Sequence, residues 1–275
     1  MDSPTQEKVP LVSVVVALCA DDRADLFRDA LTSVFQQSMR DFECIIAADG
    51  PLTPELEAAI AGCAVKDARL RRVDIPVRSG PAAARNRAIA QARGMHTAIL
   101  DADDAAKPER LERQLSMLES SGVDIAGTGC HTFGEEGSAV GRRRVPVGEA
   151  AIRRTMWRRN PLVHSTVMAR TMLLRDHPYP ENLRYGEDYR LWVNLARQGF
   201  RIDNHPDELV RYFVNHTPKP HGGRWGRFTS DTVTRLLALR LLPTPLALLY
   251  APAAVLIAAT RLLPNAVWRL LRKIA

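Results

Sequence analysis

Continuous apolar runs and stretches of helical period alternate along the first hundred residues. Residues 11–18 (LVSVVVAL) form an unbroken, β-branched-rich run, the pattern of a parallel strand buried on both faces. Within 25–37, Leu26, Phe27, Ala30, Leu31, Val34 and Phe35 fall at helical spacing. A second strand is expected over 42–48 (FECIIAA), closed by Asp49-Gly50-Pro51. Thr53 and Pro54 supply a cap and a first-turn proline for the next helix. A third strand is expected over 70–75, then a helix from Gly80-Pro81 through Ala92 that Gly94 ends. The fourth strand covers 97–100. Strand then helix, repeated in this way, predicts an α/β fold with a parallel sheet and helices on both faces.

The middle of the chain is less regular. A helix is expected over 108–120, with Leu111, Leu115 and Leu118 on one side. Residues 123–128 and 130–133 read as two strands, and Arg142-Arg143-Arg144 as a solvated turn in a Gly-rich loop. A helix over 187–198 and a strand over 208–214 follow. The tail changes character: 241–260 is free of charge and long enough to cross a bilayer as a helix. Pro243, Pro245 and Pro252 break it up and arginines flank it, so two shorter interfacial helices or a re-entrant hairpin fit better than a straight span. Packing of these helices on the catalytic body, or on a second copy of the chain as a homo-oligomer, is the alternative.

Composition sharpens this picture in two places. The chain has 275 residues, 46% hydrophobic and 25% charged, enough for a sizeable core and one large domain with an appendage. Cys19, Cys44, Cys63 and Cys130 are scattered without metal-site spacing and read as reduced, cytosolic thiols. Residues 1–8 hold no apolar signal-peptide core, which argues against secretion. The net charge is +7, and from Thr232 onward there are basic residues and no acid. A basic, Leu-rich tail points to an anionic membrane surface and away from nucleic acid.

Candidate chemistry centres on Leu100-Asp101-Ala102-Asp103-Asp104. Carboxylates crowded at a strand end repel one another unless a cation sits between them. A hard divalent ion, Mn²⁺ or Mg²⁺, takes such oxygen ligands and keeps positions open for phosphate oxygens. Open α/β sheets also bind ligands at that edge. Asp49 ends the second strand, where a carboxylate can accept from a nucleobase imide. Arg85 and Asn86 lie on the helix before the aspartates, and Gly186-Glu187-Asp188 opens a later helix. A helix N-terminus stabilises acids by itself, and an aspartate held there can also serve as a general base.

Together these segments resemble glycosyltransferase family 2, the inverting family with a GT-A fold. The resemblance covers 9–223 and runs through 11–18, 42–50, 80–86, 100–104, 160–168 (NPLVHSTVM) and 186–192 (GEDYRLW). It implies a GT-A domain over 9–225, with a nucleotide-binding half over 9–104 and an acceptor and catalytic half over 105–225. A basic, apolar, membrane-associating helical tail then occupies 226–275. The resemblance places Ala17 at the uridine, Asp49 at the base and Arg85, with Asn86, near the nucleotide. Asp101 and Ala102 approach the donor ribose or metal, and Asp103 with Asp101 binds a metal bridging the diphosphate. Asp188 is the implied base, with Glu187 beside it and His164 near donor sugar or acceptor. A histidine within 212–222 is expected to complete the metal site; His216 fits best and His221 competes. The sequence departs from the family at Cys19-Ala20-Asp21-Asp22 and at Ala48-Asp49, which leaves the base contacts least defined.

The implied partners are a nucleotide-sugar donor, a glycan or lipid-linked acceptor and a membrane surface, with no nucleic acid. The implied location is cytoplasmic, peripheral on the inner face of the cell membrane. A haloacid-dehalogenase-type phosphatase carries its Asp-x-Asp on the first strand, unlike this chain. A nucleotidyltransferase needs a basic, Gly-rich loop after the first strand, where 17–24 is acidic. A non-enzymatic membrane-surface binder accounts for the tail alone.

Overall fold

The structure, a computed structural model, describes residues 9–65, 67–214 and 223–263. Strands β1 (Val12–Leu18), β2 (Phe42–Asp49), β3 (Leu70–Ile75) and β4 (His96–Ile99) pair in parallel in the order β3-β2-β1-β4. The helices between them are α1 (Ala24–Phe35), α2 (Pro54–Ala64) and α3 (Pro81–Gln91). Thr53 caps α2 by accepting the Leu56 N–H at 3.4 Å, which satisfies one of the orphan donors of the first turn.

The strict alternation along β1 builds two cores. Val12, Val14, Val16 and Leu18 pack with Phe27, Leu31 and Val34 of α1 on one face. Val15 faces the opposite layer, with Ala84 and Ile89 of α3. Phe27 has no exposed surface, and truncating such a ring to Ala costs about 3–5 kcal/mol.

The second half continues the sheet as β8-β6-β9-β5, so nine strands in all share one sheet. Strand β5 (Ala105–Ala106) and helix α4 (Arg110–Ser121) lead into β6 (Ile125–Phe133). Next come β7 (Ala139–Arg143), α5 (Glu149–Met156), β8 (Met168–Arg170), α6 (Thr171–Asp176), α7 (Glu187–Arg197) and β9 (Ile202–Phe213). Strand β8 runs antiparallel to both β4 and β6, whereas β6 and β9 are parallel. The sheet is thus mostly parallel, as expected, with antiparallel insertions.

Three local expectations are corrected. Residues 123–128 and 130–133 are not two strands: β6 is continuous, and Gly129 marks a bulge against β9. A Cβ at Gly129 would meet Glu208 Cγ at 3.0 Å and the Arg143 carbonyl at 3.1 Å, so glycine permits the close approach of three strands. Arg142 and Arg143 are not in a turn but in β7, an exposed edge strand paired to β6. Charged edge strands look like loops in sequence because neither face is buried. Strand β9 begins at Ile202 and passes Pro206 at the bulge, a position proline tolerates.

The tail forms two helices, α8 (Arg224–Leu239) and α9 (Thr244–Ala259). Pro243 and Pro245 sit at the start of α9, but Pro252 lies inside it without ending it. Arg190 of α7 donates to Thr234 Oγ1 at 2.8 Å and to the Ser230 carbonyl at 3.3 Å, tying α8 to the body.

Candidate active site

Parallel pairing decides what meets at the sheet edge. Val15 lies opposite Ile99 and Leu18 opposite Ala48, so Asp101 and Asp49 leave the sheet at its carboxyl end. There an open cleft of about 990 Å³ is lined by Arg85, Asp101, Asp103, His164, Glu187 and Asp188, together with residues of α8.

Arg85, buried on α3, clamps two of these acids. Its Nη2 donates to Asp101 Oδ1 at 3.0 Å and its Nη1 to Glu187 Oε1 at 3.1 Å. The planar fork of arginine suits a bridge of this kind. Burial works against the Arg85 charge, but Asp101 and Glu187 outweigh it and raise the guanidinium pKa. Asp101 has a second partner: His164 Nδ1 lies 3.2 Å from Oδ1. Burial pushes the Asp101 carboxyl up, yet His164 and then Arg85 together hold it below the usual carboxylate range. Tyr179 OH stands 3.3 Å from His164 Nε2, so a Tyr179–His164–Asp101 line of hydrogen bonds is satisfied with the proton on Nδ1. The Tyr179 ring is held edge-on against Trp192 of α7 at 5.9 Å.

Asp188 sits one residue beyond Glu187 at the N-terminus of α7, where Gly186 takes φ 71°. Asn160 Nδ2 donates to its Oδ2 at 2.8 Å. Burial, followed by repulsion from Glu187, raises the Asp188 carboxyl, against the opposing pull of His164. A carboxylate moved toward neutrality in a cleft has the property a general base needs.

Beneath the aspartates lies a buried polar floor. Arg110 Nη2 donates to the Ile99 carbonyl at 2.7 Å, and burial pushes its pKa down to about 10. Gln114 Nε2 binds the Ala126 and Thr166 carbonyls at 2.9 and 2.8 Å. These side chains of α4 fix the end of β4 against β6 and the turn that carries His164. Asp104 accepts the Phe213 N–H at 2.7 Å, joining the aspartate loop to the end of β9. Burial, and then Asp103 and Asp101, push its carboxyl well above the ordinary value.

The other expected residues take varied places. Asp49 is buried and accepts Ser79 N–H at 2.7 Å and Gly80 N–H at 2.8 Å, so it fixes the loop into α3. Asn86 pairs with the Tyr179 backbone in both directions at 2.9 Å and reaches Glu181 at 2.9 Å. Ala17 is half-buried at the end of β1, and Ala102 is buried between the two aspartates. Asp103 opens onto the cleft. His216, like its competitor His221, lies outside the described residues.

Sequence reasoning did not assign Asn160, Tyr179 or Arg159 to the site. Asn160 and its neighbour did lie in a segment quoted for the family resemblance, which was the available signal. Tyr179 had none, because its partners are set by packing.

Residues 13–179 match the family model described as glycosyl transferase family 2. The chain belongs to glycosyl transferase family 2. It is thus an enzyme, a glycosyltransferase. A similar relative is an uncharacterized glycosyltransferase of Methanocaldococcus jannaschii, 29% identical over 207 residues, covering 74% of this chain and 71% of the relative. The amylovoran biosynthesis glycosyltransferase AmsE of Erwinia amylovora is 27% identical over 238 residues, 85% of this chain and 88% of AmsE. Among solved structures, S. aureus TarS 1–349 in complex with UDP-GlcNAc superposes with a TM-score of 0.66 at 19% identity. That match covers 91% of this chain and 71% of the other. The mannosyltransferase PcManGT of Pyrobaculum calidifontis, in complex with GDP-Man and Mn²⁺, gives 0.60 at 19% identity, with 93% and 75% covered. These likenesses establish the GT-A fold for this family 2 chain.

A divalent ion fits the residues present. Asp103 and Asp101 offer hard oxygen donors in the cleft, and the raised Asp104 carboxyl records the crowding of negative charge there. No group of three or more acid, His or Cys ligands gathers among the described residues. The described protein ligands are therefore few, and the rest of the shell falls to phosphate oxygens and water.

Proposed function

We propose that this chain is an inverting glycosyltransferase that uses a UDP-linked sugar, with Asp188 as general base and a hydroxyl of a glycan or lipid-linked molecule as acceptor. The observation that carries this reading is Asp188 itself. It is buried, its carboxyl is raised by burial and Glu187, and it faces the same cleft as Asp101 and Asp103. UDP is favoured because the similar TarS structure is described with UDP-GlcNAc, and Mn²⁺ because PcManGT is described with it. AmsE, named for amylovoran biosynthesis, favours a glycan as the acceptor.

The residues divide the work. Asp103 and Asp101 would hold a divalent ion, which when bound supplies positive charge to the leaving diphosphate. Arg85 orients Asp101 and Glu187 as a pair. His164 donates to Asp101 and turns its ring toward the sugar end of the cleft. Asp188 takes the acceptor proton on the oxygen that Asn160 does not occupy. The freed oxygen attacks the anomeric carbon opposite the leaving nucleotide, the carbon–oxygen bond to the diphosphate breaks, and the configuration inverts. Exposed apolar residues on α9 and the basic flanks of the tail support a peripheral seat on the inner face of the cell membrane.

Calorimetric titration with UDP, with and without Mn²⁺, tests the donor site. Manganese-dependent binding that disappears in Asp103→Ala is the expected result. Asp188→Asn is expected to bind UDP as the wild type does while losing release of UDP from a UDP-sugar in the presence of acceptor. Full turnover by Asp188→Asn removes the base from this mechanism.

A further inference from the structure

The two walls of the cleft differ in charge. The strand-end wall is acidic, with Asp101 and Asp103, and its arginine, Arg85, is taken up by Asp101 and Glu187. The wall beyond Asp188 is basic. Arg159 stands at the rim beside Asn160, exposed, with no side-chain partner among the described residues. Arg235 of α8 and Arg261 after α9 both line the cleft and share one carboxylate, Asp231, at 3.1 and 3.2 Å. Tyr185, just before Gly186, has Arg261 at 5.6 Å and Arg227 at 5.5 Å from its ring.

In-line attack puts the acceptor on the side of Asp188 away from the leaving diphosphate, which is this basic wall. Arginine matches phosphate oxygens in pairs of parallel hydrogen bonds. Arg159 is a neighbour in sequence of the residue that holds Asp188 Oδ2. An anion it binds therefore lies close to the accepting hydroxyl. From this charge asymmetry we infer that the acceptor carries a phosphate ester close to its accepting sugar, held by Arg159 and Arg261. The inference rests on the reading of Asp188 as the base.

The source of the phosphate is either a lipid headgroup or a soluble phosphorylated glycan. The same helical pair that supplies Arg227, Arg235 and Arg261 exposes Leu248 and Leu249. An alkyl chain joined to the phosphate has apolar surface within the same hairpin.

The test uses the full chain saturated with UDP and Mn²⁺, so that the diphosphate site is filled. Octyl phosphate, octyl glucoside and inorganic phosphate are titrated in turn by calorimetry. Octyl phosphate is expected to bind at least tenfold tighter than octyl glucoside, and Arg159→Ala to abolish that preference. Tighter binding of octyl phosphate than of inorganic phosphate supports the lipid source; equal binding of the two supports the soluble one. UDP binding with no preference for either phosphate over octyl glucoside overturns this inference and leaves the donor site standing. Failure to bind UDP at all overturns both. Retained preference in Arg159→Ala and also in Arg261→Ala assigns the anion elsewhere and overturns the inference as well.

Discussion

Asn160 holds Asp188 by a single hydrogen bond, Nδ2 to Oδ2 at 2.8 Å. The bond favours the ionised carboxylate, while burial and Glu187 favour the neutral acid. A base works only when ionised, so activity should fall as pH drops through the raised Asp188 value, above the ordinary carboxylate 3.8. Removing the donor in Asn160→Ala shifts the balance further toward the acid. The acid limb of the kcat profile is expected to move up by roughly one pH unit, since a hydrogen bond to a charged group is worth about 1.5–3 kcal/mol. Activity on the alkaline side should recover. A limb that stays in place in Asn160→Ala denies Asn160 this role.

Arg85 does what a lysine cannot, because two of its nitrogens reach two different carboxylates at once. Arg85→Lys is expected to leave either Asp101 or Glu187 without its cation. Breaking a buried pair costs about 3–5 kcal/mol. The lower end applies, since the Asp101 side chain keeps 28% of its surface exposed. Urea unfolding at neutral pH measures the loss. An unchanged midpoint would show that one contact suffices and that the bridge is dispensable.

Two glycines with opposite surroundings make a paired prediction. A Cβ on Gly127 of β6 would stand 2.2 Å from Asn204 Oδ1 and 2.7 Å from Leu162 Cδ2. Asn204 in turn donates to the Pro146 and Pro161 carbonyls, at 2.7 and 3.1 Å, and so supports the segment that carries Asn160. Gly127→Ala is expected to cost about 1–3 kcal/mol and to lower turnover as that segment shifts. Gly62, inside α2, has nothing within 4 Å. Gly62→Ala should stabilise by about 0.5–1 kcal/mol with turnover unchanged. Thermal unfolding of the two variants decides; the same sign for both would refute the packing argument.

The parallel half was legible in the sequence because its signals are local. β1, β2, α2 and α3 are marked by uninterrupted apolar runs, a Thr-Pro cap and Gly-Pro punctuation within a few positions. β7 was hidden because an edge strand of exposed arginines has no buried face to show a period. β8 has three residues and no periodicity to read. In the site, the aspartates announced themselves by crowding, and their family resemblance linked them to residues 85 and 187. The bridge itself spans 102 positions from Arg85 to Glu187, and no spacing rule encodes it. Tyr179 reaches His164 through packing against Trp192, a contact that exists only once α7 has docked.

The outward face of α9 makes the membrane reading testable. The stretch Thr244–Leu262 is long and apolar enough to cross a bilayer, with mean hydropathy 1.6, yet one side of it is held by the body. Tyr250 stacks on Trp157 at 4.6 Å, and Ala254 and Ala258 are fully buried. Leu248, Leu249 and Leu256 are 72%, 68% and 69% exposed. A helix pinned on one side and apolar on the other suits lying in the interface, with Arg240 and Arg261 at its ends beside anionic headgroups. Wild-type protein should co-sediment with vesicles containing anionic lipid and be released by high salt. The double variant Leu248→Asp, Leu249→Asp should remain in the supernatant, since burying each leucine is worth about 1.5–3 kcal/mol. Its unfolding temperature should match the wild type, because neither side chain is packed in the fold. Wild-type protein that stays in solution would refute the interfacial seat. Protein that only detergent releases would show that the helix spans the bilayer, and the stack of Tyr250 on Trp157 would then have to open.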